Sequence, residues 1–281
     1  EMLRSLVGSE MCIRDSYIPV NKKNFTWKIN LNLTHYKNKI TYLPDEKKTT
    51  VMDGHGGYMN GSRYYGEDLP INTWYMKRFA GLSEDGLSLW YYTDKETNEE
   101  KTTTTYSTGD FYLCGDPNPD LYGGFGTSIT FHGFDLSTQF SYLVGGLTYD
   151  YGYAGMMGNP TATSVGNRWH KDVLKAWSPE NPSSTIPRWH FNDLNTTGSS
   201  DRFLIDGSYL NLQNIQVGYT LPDSWTSHLK IKNLRLYFVC DNVYYWSKRK
   251  GLDPRRSISG VGTSGKIAPF RTYSGGISLQ F

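Results

Sequence analysis

No run in this chain approaches the roughly 18 consecutive apolar residues that a membrane-spanning helix requires, which excludes a helical membrane protein. Cysteine is scarce. Cys12, Cys114 and Cys240 stand far apart without CxxC spacing, so the common zinc pattern is missing. In an oxidising compartment Cys114 and Cys240 could pair, and service as small apolar residues is the other use. Charge of either sign is also thin, with 29 Lys and Arg against 27 Asp and Glu, and the net charge of +2 offers no basic footprint for nucleic acid. The six histidines form no HExxH pair, and neither GxSxG nor GxxxxGK[ST] occurs. Zinc hydrolysis, a nucleophile elbow and a phosphate-cradling loop are therefore unsupported. The acidic pairs Glu84–Asp85 and Glu99–Glu100 sit in polar sequence that reads as solvated surface. No catalytic residue, metal ligand or cofactor is expected.

What the chain does hold is aromatic and glycine residues: 22 Tyr, 8 Trp and 29 Gly in 281 positions, at a mean hydropathy of −0.56. That balance suits strands, turns and girdles of rings. A β-barrel in a membrane is compatible with it, because only alternate residues meet lipid and the long loops are polar.

Alternation is strongest at the end of the chain. From Arg271 to Phe281 every second residue is Arg, Tyr, Gly, Ile, Leu or Phe, while Thr272, Ser274, Gly276, Ser278 and Gln280 lie between. Phe25–Tyr36 alternates in the same manner, with Phe25, Trp27, Ile29, Leu31 and Leu33 on one face. Two further strands, 125–131 and 134–144, meet at the tight turn HGFD. In 209–219 the parity slips, since Leu210 and Leu212 disagree with Ile215, Val217 and Tyr219; a bulge near Gln213–Asn214 is expected. The connections alternate in length: short at HGFD, long from 149 to 202, moderate after Tyr219, and long again after Trp246. Between the first strand and the second pair, 53–65 reads as a glycine hairpin, and the threonine tract 101–107 as strand or solvated loop. Asp116, Asn118 and Asp120 do not make a calcium loop, because Leu121 stands at the sharp-turn glycine position and Thr127 at that of the bidentate glutamate.

Four motifs, in order, carry a family resemblance: Asp201–Pro222 (DRFLIDGSYLNLQNIQVGYTLP), Leu236–Asn242, Gly251–Pro254 (GLDP) and the aromatic C-terminal strand. Together with GDPNPDLYGG and the W-SPENPSSTIPR stretch, they closely resemble the C-terminal end of the SusC/RagA-type TonB-linked outer-membrane transporters of Bacteroidota. The resemblance covers essentially Phe25–Phe281. It implies an all-β fold: the C-terminal portion of a transmembrane antiparallel barrel, about eight strands of it, with long extracellular loops and short periplasmic turns. It also implies an outer-membrane location, uptake of oligosaccharides or peptides, a SusD-like surface lipoprotein as lid, and energy from the TonB complex through a part outside this chain. The barrel-assembly machinery and outer-membrane lipid are the remaining expected partners. Tyr273, Ile277, Leu279 and Phe281 would form the C-terminal assembly signal.

Residues 1–16 lack a signal peptide's charged and apolar regions and do not alternate, so they read as a non-native leader; 17–281 is then barrel, without its plug and N-terminal domains. In the long loop, Val173–Trp177 could form a short helix stopped by Pro179. Trp169, Trp177 and Trp189 are candidates for stacking on sugar rings, with loop packing as their alternative use. A different class, a secreted β-sandwich of the carbohydrate-binding or glycoside hydrolase kind, accounts for the rings as well. It leaves the strand lengths, the loop asymmetry and the terminal aromatic strand unexplained.

Overall fold

The structure is a computed structural model, and it describes residues 6–161, 168–193, 198–226, 231–256, 259–261 and 269–280. In chain order, β1 (Leu6–Lys22) and β2 (Phe25–Ile40) form a hairpin. There follow eight short strands: β3 (Thr50–Met52), β4 (His55–Asn60), β5 (Arg63–Gly66), β6 (Thr73–Lys77), β7 (Phe79–Leu82), β8 (Ser88–Thr93), β9 (Glu100–Thr103) and β10 (Phe111–Leu113). A second long hairpin is β11 (Leu121–Phe131) and β12 (Phe134–Val144). Next come β13 (Leu147–Tyr149), α1 (Tyr151–Met156) and β14 (Leu204–Asp206). The chain closes with β15 (Tyr209–Thr220), α2 (Asp223–Thr226), β16 (Asn233–Ser247) and β17 (Thr272–Gln280).

Seven of these strands make one antiparallel sheet in the order β1-β2-β11-β12-β15-β16-β17. An 11-residue strand rises about 36 Å, enough to cross an apolar band roughly 25 Å tall at a tilt near 45°. The cross-strand register aligns whole rows. Phe25, Phe131, Phe134, Tyr219, Leu236 and Ile277 are successive partners, and so are Trp27, Ile129, Leu136, Val217 and Phe238. Three residues on, the opposite face carries Asn30, Gly126, Gln139, Asn214, Asp241 and Thr272. One face is thus apolar and the other polar across the six strands from β2 to β17, while β1 breaks the pattern with Lys22 opposite Phe25 and Asp15 opposite Leu31. The apolar face is bare: Phe134, Phe238 and Ile277 are each at least half exposed, and among the described residues no other sheet packs on it. That geometry is not a sandwich, whose two apolar faces must cover each other.

The parity slip in β15 resolves as expected. Leu212 pairs with Phe140 and Asn214 with Gln139, leaving Gln213 without a partner across the ladder. The extra residue returns Leu210, Leu212, Ile215, Val217 and Tyr219 to one face. At the β11–β12 turn, His132 (φ 46°) and Gly133 (φ 87°) both take left-handed conformations, the requirement of a two-residue hairpin loop. Near the same end, on the polar face, Arg235 of β16 forms a two-bonded ion pair with Asp135 of β12, its Nε lying 2.9 Å from Oδ1. β15 runs between them, and any side chain at Gly218 would collide with both partners.

Three expectations change. The sheet has seven strands rather than about eight, because the short strands between 50 and 113 pair with one another: β10-β6-β5-β4-β3 form one small sheet and β7-β8-β9 a second. The strand also continues back through Leu6–Ser16, which pairs residue by residue with β2. Met11–Tyr17 is exposed along its length, so backbone bonds to an open edge hold it and no side-chain alternation is demanded. Finally, 171–175 is a 3₁₀ turn rather than a helix over 173–177, and His170 caps it by accepting from the Asp172 amide.

Candidate functional site in the loop layer

The short connections of the wall, at 23–24, 132–133 and 221–232, fall at one end, and those at 41–120, 145–208 and 248–271 at the other. The long connections build a second layer with its own core. Trp74, Met76, Tyr149, Met157 and Phe203 are buried together, with Cys114, Leu147, Tyr153 and Ile186 packed around them. β6 (TWYMK) is buried at all five positions. Its residues meet partners more than seventy positions away: the Trp74 indole N–H donates to the Leu147 carbonyl at 3.1 Å. The third loop joins through the Tyr149 amide, which donates to the Gly260 carbonyl at 2.8 Å.

Buried cations organise this layer. Lys77 is 4% exposed and makes no ion pair among the described residues. Its ammonium donates to the carbonyls of Tyr106 (2.5 Å), Ser107 (3.2 Å) and Gly109 (2.5 Å), with the rings of Tyr106 and Phe111 at 4.6 and 5.0 Å. Burial pushes its pKa down. Arg63 stacks on Trp74 and donates to the carbonyls of Asn72 and Ser259; burial lowers it to about 10. Arg202 lies against Phe79 and Phe203, and burial likewise lowers it to about 10. Its neighbour Asp201 accepts from the Phe79 amide at 2.8 Å, while burial raises its carboxyl above the usual range. Burial also drives the Cys114 thiol up to about 11 and the Tyr149 phenol to about 12. Cys114 and Cys240 are both free.

Beside the core opens a cavity of about 540 Å³ between α1 and residues 249–253, with His170 on its rim. Asp150 is its pivot. One carboxylate oxygen caps α1 by accepting from the Tyr153 amide at 3.0 Å, and the other accepts from Arg249 Nε at 2.6 Å. The Tyr153 hydroxyl donates to Asp172 at 3.0 Å, and its ring meets His170 edge-on at 4.9 Å. Every carboxylate named here is paired or capped, which fixes the side chains beside the cavity. Among the described residues, no group of three or more His, Cys, Asp or Glu could hold a metal ion.

Of the three candidate tryptophans, the structure brings two together. Trp169 and Trp189 meet edge to face at 5.5 Å, and both indole N–H groups donate to the Gly158 carbonyl, at 3.1 and 3.3 Å. Trp177 lies apart, over Gly86, where no side chain would fit; Gly86 (φ 72°) also needs the left-handed conformation. Tyr273, Ile277 and Leu279 stand on the apolar wall face, 61%, 65% and 49% exposed, whereas Phe281 lies outside the described residues. Sequence reading missed Lys77, Arg63 and Arg202, whose only signal was their place beside aromatic runs.

No family model matches the sequence. Among curated proteins, it is 28% identical to TonB-dependent receptor P3 of Formosa agariphila over 93% of this chain and 27% of that protein. It is 26% identical to TonB-dependent receptor SusC of Bacteroides thetaiotaomicron over 94% of this chain and 25% of that protein. The chain therefore spans about a quarter of the length of these relatives. Its fold matches the RagAB peptide transporter with a TM-score of 0.78 at 22% identity, covering 98% of this chain and 29% of that one; the importer's open-open state matches equally. With its bare apolar wall and loops gathered at one end, the chain is similar over most of its length to TonB-dependent receptors of the SusC kind, and its fold is that of the barrel portion of the RagAB transporter.

Proposed function

We propose that this chain forms about a third of the wall of a plugged, roughly 22-stranded transporter, and that the whole protein takes up oligosaccharides or peptides across the outer membrane. The observation that carries this reading is the wall itself: one sheet, apolar on one face and polar on the other, with every long connection at the same end. An apolar face this wide is stable only against lipid, and a polar inner face suits a watery or plugged lumen. The loop layer, with the Asp150–Arg249 cavity and the Trp169–Trp189 pair, is the surface that meets solute outside the cell. A SusD-type lipoprotein closes over it, and TonB supplies energy through segments outside this chain.

Labelling of intact cells with an impermeant thiol reagent tests the topology on the complete transporter. Ser184→Cys should label and Asp223→Cys should not; the reverse pattern overturns the orientation. Uptake of labelled oligosaccharide or oligopeptide should vanish when the transporter is deleted or the proton-motive force collapsed, and uptake unaffected by either would end the transport reading.

The last strand has a second task in this proposal. Tyr273, Ile277, Leu279 and Phe281 present an aromatic terminal strand that the barrel-assembly machinery engages by strand addition. Removing Phe281 from the complete protein should sharply lower the amount of folded barrel while uptake per folded molecule stays constant. Normal abundance with weakened uptake would assign Phe281 to the lumen instead.

A further inference from the structure

Where β16 climbs above the start of β17, the wall has a notch. β17 begins at Thr272 opposite Asp241, while β16 continues to Ser247. At the step, Asn242 turns left-handed (φ 51°) and its side-chain amide donates to the Phe270 carbonyl at 3.1 Å. Arg271 reaches across to donate to the Val243 carbonyl at 2.5 Å. The resulting cavity measures about 590 Å³ and has no carboxylate in its lining. Three cations line it, Lys250, Arg255 and Arg271, beside the rings of Tyr244, Tyr245 and Trp246. Arg255 is neutralised by Asp253 at 2.7 Å and lies over Tyr245. Lys250 and Arg271 have no ion-pair partner among the described residues, and both side chains are exposed.

We propose that this notch holds the phosphate-bearing headgroup of an outer-leaflet lipid, an inference that rests on the outward orientation of the loop layer given above. Two uncompensated cations beside a neutralised third favour an anion, and charge-assisted bonds to phosphate oxygens are the strong kind. The rings choose the source of that anion. Tyr244 and Trp246, each about half exposed, pair with Leu212 and Leu210 of the outward rows and meet edge to face at 4.8 Å. A solute arriving through the loops would meet the opposite parity, that of Tyr245 and of Arg255, which donates to Asn211 at 2.7 Å and closes the notch from the inner side. An amphiphile lying along the outer wall meets these rings with its chains and the cations with its headgroup. Tyrosine and tryptophan at the apolar boundary, with basic side chains reaching above it, fit that occupant.

The test uses the complete transporter in phosphatidylcholine nanodiscs that contain lipid A, either phosphorylated or stripped of its phosphates. Native mass spectrometry then counts retained lipid A. The wild type should keep one phosphorylated molecule, with occupancy falling at least about tenfold on dephosphorylation or in Lys250→Glu. Arg271→Gln, which keeps a donor for Val243, should lower it less. Unchanged heat-modifiable migration in gels confirms that each variant is folded. Equal retention with and without phosphates, or full retention in Lys250→Glu, overturns the proposal. So does displacement of the lipid by millimolar inorganic phosphate irrespective of acyl chains, which would make the notch a solute site. Failure of Ser184→Cys to label from outside defeats the orientation; normal labelling with unchanged lipid retention defeats the headgroup site alone.

Discussion

The wall and the loop layer solve the burial problem in opposite ways. In the wall, large apolar side chains point away from the chain and remain exposed, as with Ile277, Phe238 and Phe134. Its order comes from ladder pairing along strands of 9 to 17 residues. In the loop layer the strands are 3 to 6 residues long, and order comes from a packed core in which Trp74 is fully buried and Met76 nearly so. The wall needs an apolar solvent to be complete; the loop layer carries its own.

That contrast predicts different responses to the same kind of damage. Trp74→Ala removes the centre of the loop core, where truncation of a buried ring costs about 3–5 kcal/mol. Limited proteolysis should then cut the long loops while the heat-resistant barrel band persists; loss of both together would mean the two layers fold as one. In the wall, Ile277→Arg should cost about 2–4 kcal/mol in bilayer folding measurements, and Ser278→Arg far less, because only the first faces lipid. Equal costs would erase the distinction between the two faces. Next in size is Lys77→Met, which strips three carbonyls of a shared donor and should destabilise the loop layer by about 1–3 kcal/mol. Faster amide exchange confined to residues 105–110 and their contacts would register it, and unchanged exchange would show that the ammonium is dispensable. The smallest effect is kinetic. With its thiol at about 11, Cys114 should alkylate at pH 8 about 100-fold more slowly than an ordinary exposed cysteine. Comparable rates would show that the loop core opens readily to solvent.

The two regions were unequally legible. The wall announces itself in sequence because a half-buried sheet imposes a two-residue period, which names the faces of β2, β11, β12 and β17 directly. Even the broken parity at Gln213 pointed to its own repair. The loop layer has no such period. All five residues of TWYMK are buried, so alternation vanishes, and Trp74 finds Leu147 and Tyr149 only after the chain has crossed the wall twice more. A lysine or arginine reads as surface; Lys77 and Arg202 are interior because carbonyls and rings converge on them from distant segments, and no local pattern encodes that. Leu6–Ser16 was missed for the opposite reason, being exposed along the part whose side chains are described and held by its backbone.

The unpartnered Gln213 also says something about how such walls change over generations. A strand with two unlike faces is read in steps of two, so gaining or losing a single residue swaps inside for outside downstream, much as a frameshift garbles a gene. At Gln213 the sheet absorbs one surplus residue and restores the frame within the same strand. Insertions of odd length are therefore survivable at such a site and ruinous a few residues away. Deleting Gln213 itself would leave a strand that alternates without a break, whereas deleting Gln216, three residues on, would turn Val217 and Tyr219 toward the lumen while leaving every letter of their sequence intact.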